Sequence, residues 1–554
     1  MRKVLLVAIN SKFIQTNLAL RYIRNYLLQH NSDVTPVIKE FTINQQVHTI
    51  LSEIYKEKPA VVLLSIYIWN VEFSLKIITE IKKILPGVKI ITGGPEVAYR
   101  AQEIMEEYTQ IDYCVEGEGE VVVSSLLKEQ LPPGVYYRKD SLIINTGKAL
   151  LIENPDEIPF PYLPDELELL ENKIIYYESS RGCPYNCSYC ISSIDKTVRF
   201  FSLERVQRDI SLFLQHNVPL VKFVDRTFNL KKEHYLPIWK FIIDNHNNIT
   251  TFHFEITADR LSDDDFTVLN GIGKDVIQFE VGIQTINEET LEIVARNSDI
   301  VKQREMIKKI PENIHIHLDL IAGLPKESLQ KFIKSFNYTI RLKPDMMQLG
   351  FLKVLSGTEM AKTAEKEGFM FFSSPPYEII STPDLSYEEL LIIKDIEHVV
   401  DIYYNSKRFS KTIDYLLNMN DPFSLFHELK CFLEKSGAFV DAKKTTDYYL
   451  FLYLYLKENH LPDICIDLLK FDFISYSPVK SFPEWYNRMY DKDVHHHLIK
   501  KYAAGESTRS GFINTNYEVF NHNPFTLETL RTELFFIYEN GTCITIIENV
   551  KNGN

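Results

Sequence analysis

The sequence predicts an α/β protein built from three successive parts. Over residues 1–150, short apolar runs alternate with segments of helical periodicity, the pattern of a doubly wound parallel sheet. After a connector with four prolines between residues 154 and 164, the alternation returns over residues 165–372 and predicts a partial (β/α)6 barrel. Over residues 373–554 the periodicity is mostly helical. We therefore expect a Rossmann-like domain, an open barrel and a mostly helical carboxy-terminal domain.

The strands of the first part are apolar along their whole length, as expected for parallel strands that are covered on both faces. They are predicted at residues 4–9, 60–66, 88–91 and 111–115, and apolar residues at helical spacing follow the first two of them. In doubly wound sheets, ligands bind beyond the carboxyl ends of the strands. The loops at Asn10, 65–70, 93–96 and 116–120 should therefore line one crevice.

The second part contains six strand-like runs, with helical segments such as 203–216 and 287–296 between them. Six units are fewer than the eight of a closed α/β barrel, so the barrel should be open. The predicted strands are 174–178, 220–224, 251–256, 276–281, 314–320 and 347–354. In the third part, helices are predicted at 387–404, 423–436 and 445–457, and a strand at 542–547.

Composition excludes several classes of function. The formal charge of −14 argues against non-specific binding to nucleic acid or to an anionic membrane surface. No apolar run approaches the ~20 residues that span a bilayer, and the apolar run at the amino terminus is too short for a signal peptide. Seven cysteines in 554 residues do not form a disulfide framework, which indicates a reducing, cytoplasmic location. Four of them, Cys114, Cys431, Cys465 and Cys543, lie in apolar patterns and are predicted to fill cores.

The other three cysteines carry the strongest chemical signal. Cys183, Cys187 and Cys190 follow a predicted strand in the pattern Cys-x-x-x-Cys-x-x-Cys. Thiolates are soft ligands that suit iron–sulfur clusters, and three of them leave one iron of a cubane without a protein ligand. The alternative is a structural zinc site, which usually takes four ligands, often as two Cys pairs. The sequence offers no second pair.

This triad resembles that of the radical S-adenosylmethionine superfamily, which also has an aromatic residue, here Tyr189, before the last cysteine. The resemblance implies that the triad holds a four-iron four-sulfur cluster. It also implies that the open iron binds the amino and carboxylate groups of S-adenosylmethionine. An electron donor such as a flavodoxin or a ferredoxin should then reduce the cluster.

Four further segments resemble the cofactor-binding segments of the same superfamily. Asp225 is the only acid at the end of the second barrel strand, where many members carry a glycine-rich acidic motif for the methionyl amine. Glu255 lies on the third strand. Glu280 and Gln284 lie in the segment that resembles the ribose-binding fourth strand, and Ile321 in the one that resembles the adenine-packing fifth strand.

The first domain resembles the cobalamin-binding subclass of this superfamily, which places a doubly wound domain before the barrel. The residues that this resemblance assigns to cobalamin are Ser65, Gly93, Gly94, Glu116 and Gly117. Many cobalamin domains have a histidine after the first strand, whereas residues 10–15 contain none. Cobalamin is therefore expected base-off and without a histidine ligand. A bulky residue at Gly94 is expected to overlap it.

The leading interpretation is a cobalamin-dependent radical S-adenosylmethionine methyltransferase that acts on an unactivated carbon. By resemblance, cobalamin supplies the methyl group and a radical from S-adenosylmethionine abstracts hydrogen from the substrate. The crevice near residues 10–13 and 65–70 should then face the triad, with residues 373–554 covering the substrate. Alternatives are rearrangement or ring contraction, methylthio transfer to transfer RNA, and a non-catalytic sensor that binds cobalamin or a cluster. The catalytic residues and the substrate are not predicted.

Overall fold

The structure is a computed structural model that describes residues 1–140, 142–502, 514–539 and 542–552. It divides into two compact units. Unit 1 comprises residues 1–332 and 349–387, and unit 2 comprises residues 333–348 and 388–554. Among the described residues, no helix is both long and apolar enough to cross a bilayer. The candidate site lies wholly within unit 1.

Unit 1 begins with a seven-stranded sheet in the order β2-β1-β3-β4-β5-β6-β7. The first five strands are parallel, and β6 and β7 add an antiparallel hairpin at one edge. The strands are β1 (Arg2–Asn10), β2 (Val34–Thr42), β3 (Val61–Ser65), β4 (Lys89–Gly93), β5 (Tyr113–Val115), β6 (Val135–Lys139) and β7 (Leu142–Asn145). The helices are α1 (Leu18–His30), α2 (Val47–Glu57), α3 (Val71–Ile84), α4 (Pro95–Ala98), α5 (Ala101–Glu107) and α6 (Gly119–Leu127).

Helices cover both faces of this sheet, which confirms the Rossmann-like prediction. Alternate residues of β1 divide between two cores, with Leu5, Val7 and Ile9 in one and Val4, Leu6 and Ala8 in the other. The sequence did not indicate β2 or the hairpin of β6 and β7. These strands carry polar and half-buried residues, since they lie at the two edges of the sheet.

A short helix, α7 (Pro164–Leu169), leads into the second sheet, whose six strands lie in the order β15-β14-β13-β12-β11-β8. The pairs from β8 to β14 are parallel, which confirms the open barrel. The six strands are β8 (Ile175–Tyr177), β11 (Leu220–Phe223), β12 (Thr251–Ile256), β13 (Ile277–Gln284), β14 (His315–Ala322) and β15 (Met346–Phe351). Two short antiparallel pairs lie outside it: β9 (Ser180–Arg181) with β10 (Arg199–Phe200), and β16 (Met370–Phe371) with β17 (Ile379–Ser381).

Alternation along the barrel strands separates an apolar face from a polar one. On β13, Phe279 and Val281 are buried, whereas Glu280, Gly282 and Gln284 line a cavity. The polar face therefore presents functional side chains. The helices of this part are α8 (Leu203–Gln215), α9 (Lys232–Asn245), α10 (Asp263–Leu269), α11 (Glu288–Ile293), α12 (Ile300–Lys309), α13 (Leu329–Arg341) and α14 (Glu359–Glu367).

Unit 2 is mostly helical, as predicted, but it also contains an antiparallel sheet of three strands in its described part. Only the last of these strands was predicted. The helices are α15 (Tyr387–Val400), α16 (Ser410–Met419), α17 (Pro422–Lys435), α18 (Thr445–Glu458), α19 (Asp463–Tyr476) and α20 (Lys492–Tyr502). The strands are β18 (Thr515–Phe520), β19 (Leu530–Glu539) and β20 (Thr542–Asn552). The prediction that Cys431 fills a core is wrong, because its side chain is exposed on α17; Cys114 and Cys465 are buried.

Candidate active site

The cysteine triad lies on a tight loop that leaves β9. Gly182 begins the loop with φ of +92°, and a Cβ atom there would lie 2.2 Å from the carbonyl oxygen of Thr197. Only glycine tolerates this conformation and this approach. Cys183 and Cys187 are buried and Cys190 is half-buried. The three thiols line one cavity, which we call the triad cavity.

The triad loop is held by backbone hydrogen bonds from two other segments. The Ser188 N–H donates to the Val294 carbonyl at 2.9 Å, and its carbonyl accepts from the Met360 N–H at 2.8 Å. Within the described residues, no three His, Cys, Asp or Glu side chains are gathered to hold a single metal ion. A cubane cluster does not need its ligands to converge on one point, because each thiolate binds a different iron atom.

The triad cavity has a volume of about 190 Å³. It brings together most of the residues that the sequence assigned to the cluster and to S-adenosylmethionine. These are Cys183, Cys187, Tyr189, Cys190, Glu255, Glu280 and Gln284. Residues that the sequence reasoning missed also line it, among them Arg226, Arg296, Ser298 and Asp319.

Several polar atoms of this cavity are buried without a hydrogen-bond partner in the described part of the chain. They are Gln284 Oε1, Arg296 Nε, Ser298 Oγ and Asp319 Oδ1. Buried polar groups are normally paired, and an unpaired one costs about 1–3 kcal/mol. Four such atoms around one cavity indicate a site built for a polar ligand.

Three carboxyl groups of the cavity differ in their affinity for protons. Burial opposes ionisation of Glu280, but hydrogen bonds from His253 and Lys222, both at 2.9 Å, outweigh it and lower its pKa to about 2. Burial and the neighbouring Glu280 charge raise the pKa of Glu255 and, much more strongly, that of Asp319. At neutral pH the site therefore offers an ionised carboxylate in Glu280, and the Asp319 carboxyl beside it holds its proton more tightly than an exposed aspartate does.

Two residues that the sequence assigned to S-adenosylmethionine do not line the triad cavity. The Asp225 carboxylate accepts hydrogen bonds from the Ser179 N–H at 2.9 Å and from the Ser179 and Ser180 hydroxyls at 2.8 and 2.6 Å. Its burial raises its pKa to about 6. Asp225 thus holds the segment just before the triad loop through Ser179 and Ser180. Its neighbour Arg226, and not Asp225 itself, lines the triad cavity. Ile321 is half-buried on β14.

A second cavity, of about 280 Å³, lies at the carboxyl edge of the first sheet, and we call it the sheet-edge cavity. Of the residues that the sequence assigned to cobalamin, Ser65, Gly93, Gly94 and Gly117 line this cavity, whereas Glu116 does not. Most other lining residues are apolar, including Leu20, Ile23, Leu63, Leu64, Ile91, Val115 and Val123. This cavity fits a compact apolar group with few hydrogen-bonding atoms.

The structure corrects the reason for the glycine at position 94. Gly94 has φ of +106°, and a Cβ atom there would lie 2.4 Å from the carbonyl oxygen of Ile66. A larger residue would therefore overlap protein backbone before it met a ligand. At Gly93 a Cβ atom would lie 3.6 Å from the nearest atom, the carbonyl oxygen of Val115, which is ordinary contact.

The third cavity has a volume of about 610 Å³, the largest of these three. It lies between the first sheet and the barrel, and we call it the central cavity. It shares Tyr67, Tyr99 and Gly117 with the sheet-edge cavity and Arg226 with the triad cavity. Asn10 and Trp69 line it together with Gly182, so the crevice of the first domain faces the triad loop, as the sequence predicts. The central cavity therefore adjoins each of the other two.

Two aromatic rings from the loop after β3 line the central cavity. Tyr67 and Trp69 are stacked with ring centroids 4.4 Å apart. The Trp69 indole N–H and the Asn70 amide both donate to the Ile9 carbonyl, at 3.2 and 2.8 Å. No histidine is among the described residues that line the central or the sheet-edge cavity.

A network of ion pairs joins the first sheet to the triad loop at the wall of the central cavity. The guanidinium of Arg181, two residues before Cys183, pairs with Glu118 at 3.2 Å, Glu120 at 2.6 Å and Glu178 at 2.7 Å. Arg199 also pairs with Glu118, at 2.9 Å. Burial opposes ionisation of Glu118, but the two arginines outweigh it and lower its pKa. The sequence alone did not predict that Arg181 and Arg199 form ion pairs with these glutamates.

Comparison with family models gives three matches along the chain. Residues 4–127 match the B12 binding domain, and residues 177–339 match the radical SAM superfamily, where SAM is S-adenosylmethionine. Residues 365–535 match a family described as a protein of unknown function, DUF4080.

The curated relatives and solved structures agree with these matches. The chain is 28% identical over 305 residues to the cobalamin-dependent radical SAM methyltransferase TokK of Streptomyces tokunonensis. It is 27% identical over 298 residues to the 2-(S-pantetheinyl)-carbapenam-3-carboxylate methyltransferase of Streptantibioticus cattleyicolor. Each alignment covers 50% of this chain and 44% of the relative, so the chain spans about half the length of the curated relatives it matches.

Two solved structures share the fold at low sequence identity. The radical S-adenosylmethionine methyltransferase TsrM from Kitasatospora setae superposes with a TM-score of 0.57 at 18% identity, over 68% of this chain and 78% of that one. The cobalamin-dependent S-adenosylmethionine radical enzyme OxsB gives a TM-score of 0.61 at 14% identity, over 85% of this chain and 79% of that one.

Proposed function

We propose, from the premise that this chain belongs to the radical SAM superfamily and carries a B12-binding domain, that it is a cobalamin-dependent methyltransferase acting on an unactivated carbon. The observation that carries the proposal is the adjacency of the three cavities. A reaction that uses two cofactors on one substrate atom needs both cofactor sites to open onto a common space. The central cavity supplies such a space between the other two.

The residues of the sheet-edge and central cavities fit cobalamin in its base-off form. The apolar sheet-edge cavity suits the aromatic base of the nucleotide tail, with Ser65 and Gly117 in its wall. The central cavity suits the macrocycle, and Tyr67 and Trp69 are among the residues that would hold it there. Two features support the base-off form: a separate apolar cavity that suits the base, and the absence of histidine among the described residues that line the two cavities.

The triad cavity fits S-adenosylmethionine beside a cluster on Cys183, Cys187 and Cys190. When bound, the cluster supplies an electron that cleaves the sulfonium, and cobalamin carries the methyl group to be transferred. Around the cluster site, ionised Glu280 accepts hydrogen bonds from hydroxyl or ammonium groups, and the unpartnered Asp319 Oδ1 offers a further polar contact. Gln284 Oε1 and Ser298 Oγ, which have no hydrogen-bond partner among the described residues, can also bind polar groups of the ligand. A flavodoxin or a ferredoxin is the proposed source of the electron.

A second candidate is a reaction of the same cofactors that does not transfer a methyl group. It is favoured by a 26% identity over 288 residues to the anaerobic magnesium-protoporphyrin IX monomethyl ester cyclase of Synechocystis, whose name describes ring closure. The unpartnered polar atoms of the triad cavity argue against a sensor that only binds cobalamin or a cluster. The cytoplasmic location, the division at residues 150, 165 and 373, and a substrate-covering role for residues 373–554 stay predictions.

The proposal is tested by anaerobic reconstitution with iron, sulfide and hydroxocobalamin, followed by reduction in the presence of S-adenosylmethionine. We expect about four irons and one cobalamin per chain, and formation of 5′-deoxyadenosine. Alanine at any cysteine of the triad should abolish the visible cluster absorbance and this product. Cys431→Ala is the matched control, because Cys431 is exposed on α17, outside the site.

The products separate the two candidates, and one result refutes both. S-adenosylhomocysteine formed together with 5′-deoxyadenosine supports methyl transfer, because the methyl group on cobalamin must be renewed. 5′-Deoxyadenosine alone supports the second candidate. If the variant with alanine at all three triad cysteines still bound four irons per chain, the cluster assignment would be wrong.

A further inference from the structure

The triad cavity contains an arginine that contacts the triad itself. Arg296 Nη1 lies 3.9 Å from the Cys187 sulfur and 3.4 Å from the Tyr189 hydroxyl. Its Nη2 donates to the Gly282 carbonyl at 2.5 Å. Its Nε is buried without a partner in the described part of the chain. The guanidinium thus bridges the triad loop and β13.

The fold holds this arginine in place from both sides. Its backbone N–H donates to the Leu291 carbonyl at 2.9 Å, and Val294, two residues earlier, accepts from Ser188 of the triad loop. A Cβ atom at position 282 would lie 3.3 Å from Arg296 Nη2, closer than ordinary contact, so glycine there leaves room for the guanidinium. The backbone bond to Ser188 and the side-chain contact with Cys187 therefore reinforce each other.

No carboxylate among the described residues forms an ion pair with Arg296, since its guanidinium nitrogens contact a sulfur, a hydroxyl and a carbonyl. Arginine stays protonated at every pH at which proteins are folded. A permanent positive charge therefore stands within hydrogen-bond distance of a predicted cluster ligand. Hydrogen bonds to the sulfurs and the local net charge are two factors that set the potential of an iron–sulfur cluster.

We infer that Arg296 raises the reduction potential of the cluster by donating a charge-assisted hydrogen bond to the Cys187 thiolate, and that it fixes the Tyr189 ring beside that thiolate. The inference rests on the proposed function, because it needs a cluster on the triad. Reduction adds one electron, from an external reductant, to a cluster that three thiolates already make anionic. A fixed cation stabilises the reduced form more than the oxidised form, so the potential rises. Arg296 acts through Cys187 and is a positioning residue.

The test is a redox titration of the reconstituted cluster, followed by electron paramagnetic resonance, without S-adenosylmethionine. In Arg296→Gln we expect the ratio of reduced to oxidised cluster at a fixed potential to fall about tenfold, which is a downward shift of ~59 mV for one electron. Arg296→Lys keeps the charge and should shift the potential less. Arg260→Gln is the matched control, because Arg260 donates to the Tyr185 hydroxyl of the same loop at 3.4 Å but is exposed and contacts no thiol.

A second readout reports the hydrogen bond itself. Resonance Raman spectra should show a higher iron–sulfur(Cys) stretching frequency in Arg296→Gln, because the thiolate no longer shares its electrons with a donor. If Arg296→Gln loses iron, Arg296→Lys is compared with the wild-type chain instead, by the same redox titration and resonance Raman measurement.

Two results overturn the inference, and a third refutes the proposed function instead. An unchanged potential in every Arg296 variant that retains four irons overturns it. A shift that occurs only when S-adenosylmethionine is present also overturns it, since the arginine then acts on that ligand through its free Nε. A wild-type chain that binds no cluster under the same conditions refutes the proposed function.

Discussion

Replacing Gly94 by alanine should destabilise unit 1, whereas the same change at its neighbour Gly93 should not. Gly94 has φ of +106° and ψ of 163°, a region that only glycine adopts readily. The new methyl group would lie 2.4 Å from the Ile66 oxygen, 3.0 Å from its nitrogen and 3.1 Å from its carbonyl carbon. All three are backbone atoms, so the loops after β3 and β4 must separate.

The magnitude follows from these two effects. Strain in a glycine-only conformation costs on the order of 1–3 kcal/mol. Forcing a methyl group into a closed contact adds about 1–3 kcal/mol. Their sum, about 2–6 kcal/mol, is a large fraction of the ~5–15 kcal/mol by which a typical domain is stable. At Gly93, where the nearest atoms would lie 3.6 and 3.7 Å away, we expect a change below about 1 kcal/mol.

The assay is urea unfolding of the two alanine variants and the wild-type chain, each without cofactors, followed by circular dichroism. At ~2 kcal/mol per molar urea, the Gly94 variant should unfold at a midpoint lower by about 1–3 M. It should also retain less cobalamin, because the Ile66 and Gly94 backbones support the wall of the sheet-edge cavity. If the two variants unfolded within about 0.5 kcal/mol of each other, the assignment of Gly94 to a closed backbone contact would be refuted.

Three further perturbations test other parts of the molecule. Ala19 lines both the sheet-edge and the central cavity on α1, so Ala19→Trp should abolish cobalamin retention after gel filtration, whereas Leu28→Trp, on the exposed side of the same helix, should not. Arg181→Met leaves Glu120 and Glu178 without their shared cation and should lower the free energy of unfolding by about 3–5 kcal/mol in urea titrations; an unchanged midpoint would contradict the network. Burial raises the pKa of Asp472 to about 7, above its ~3.9 in the unfolded chain. The contribution of protonated Asp472 to the free energy of unfolding is therefore fully present below pH ~4 and is lost as the pH rises towards 7. Asp472→Asn should flatten that dependence in urea midpoints measured from pH 4.5 to 7.5, and an unaltered slope would rule out Asp472 as its source.

The sequence predicted the elements whose signal is local. The strands β1, β3, β4 and β5 are apolar because helices cover both faces, and the triad is readable because its three thiols stand within eight residues. The edge strand β2 was missed because its sequence, Val34–Thr42, includes Pro36, Lys39 and Glu40, which are compatible with an edge strand but do not form an apolar run.

The missed site residues have partners far away along the chain. Arg296 lies 109 residues from Cys187, and Arg181 lies 61 residues from Glu120. Nothing in a single sequence states such pairings, since they follow from the register of strands that meet only in the fold. The resemblance predicted that Asp225 follows the second barrel strand. It did not predict the direction of the carboxylate, which is set by hydrogen bonds from the Ser179 and Ser180 hydroxyls.

The Arg181 network restrains the position of the triad loop relative to the first sheet. The connector between the domains is short and rich in proline, which restricts its path but fixes no distance between the sheet-edge and triad cavities. Arg181 supplies that restraint, because Glu118 and Glu120 belong to the segment that lines the central cavity, and Gly182 and Cys183 follow Arg181 directly. Any shift of the triad loop away from the first sheet would leave these carboxylates buried beside a displaced cation, which is strongly unfavourable. The ion pairs in the wall of the central cavity therefore also restrain the distance between the first sheet and the triad loop.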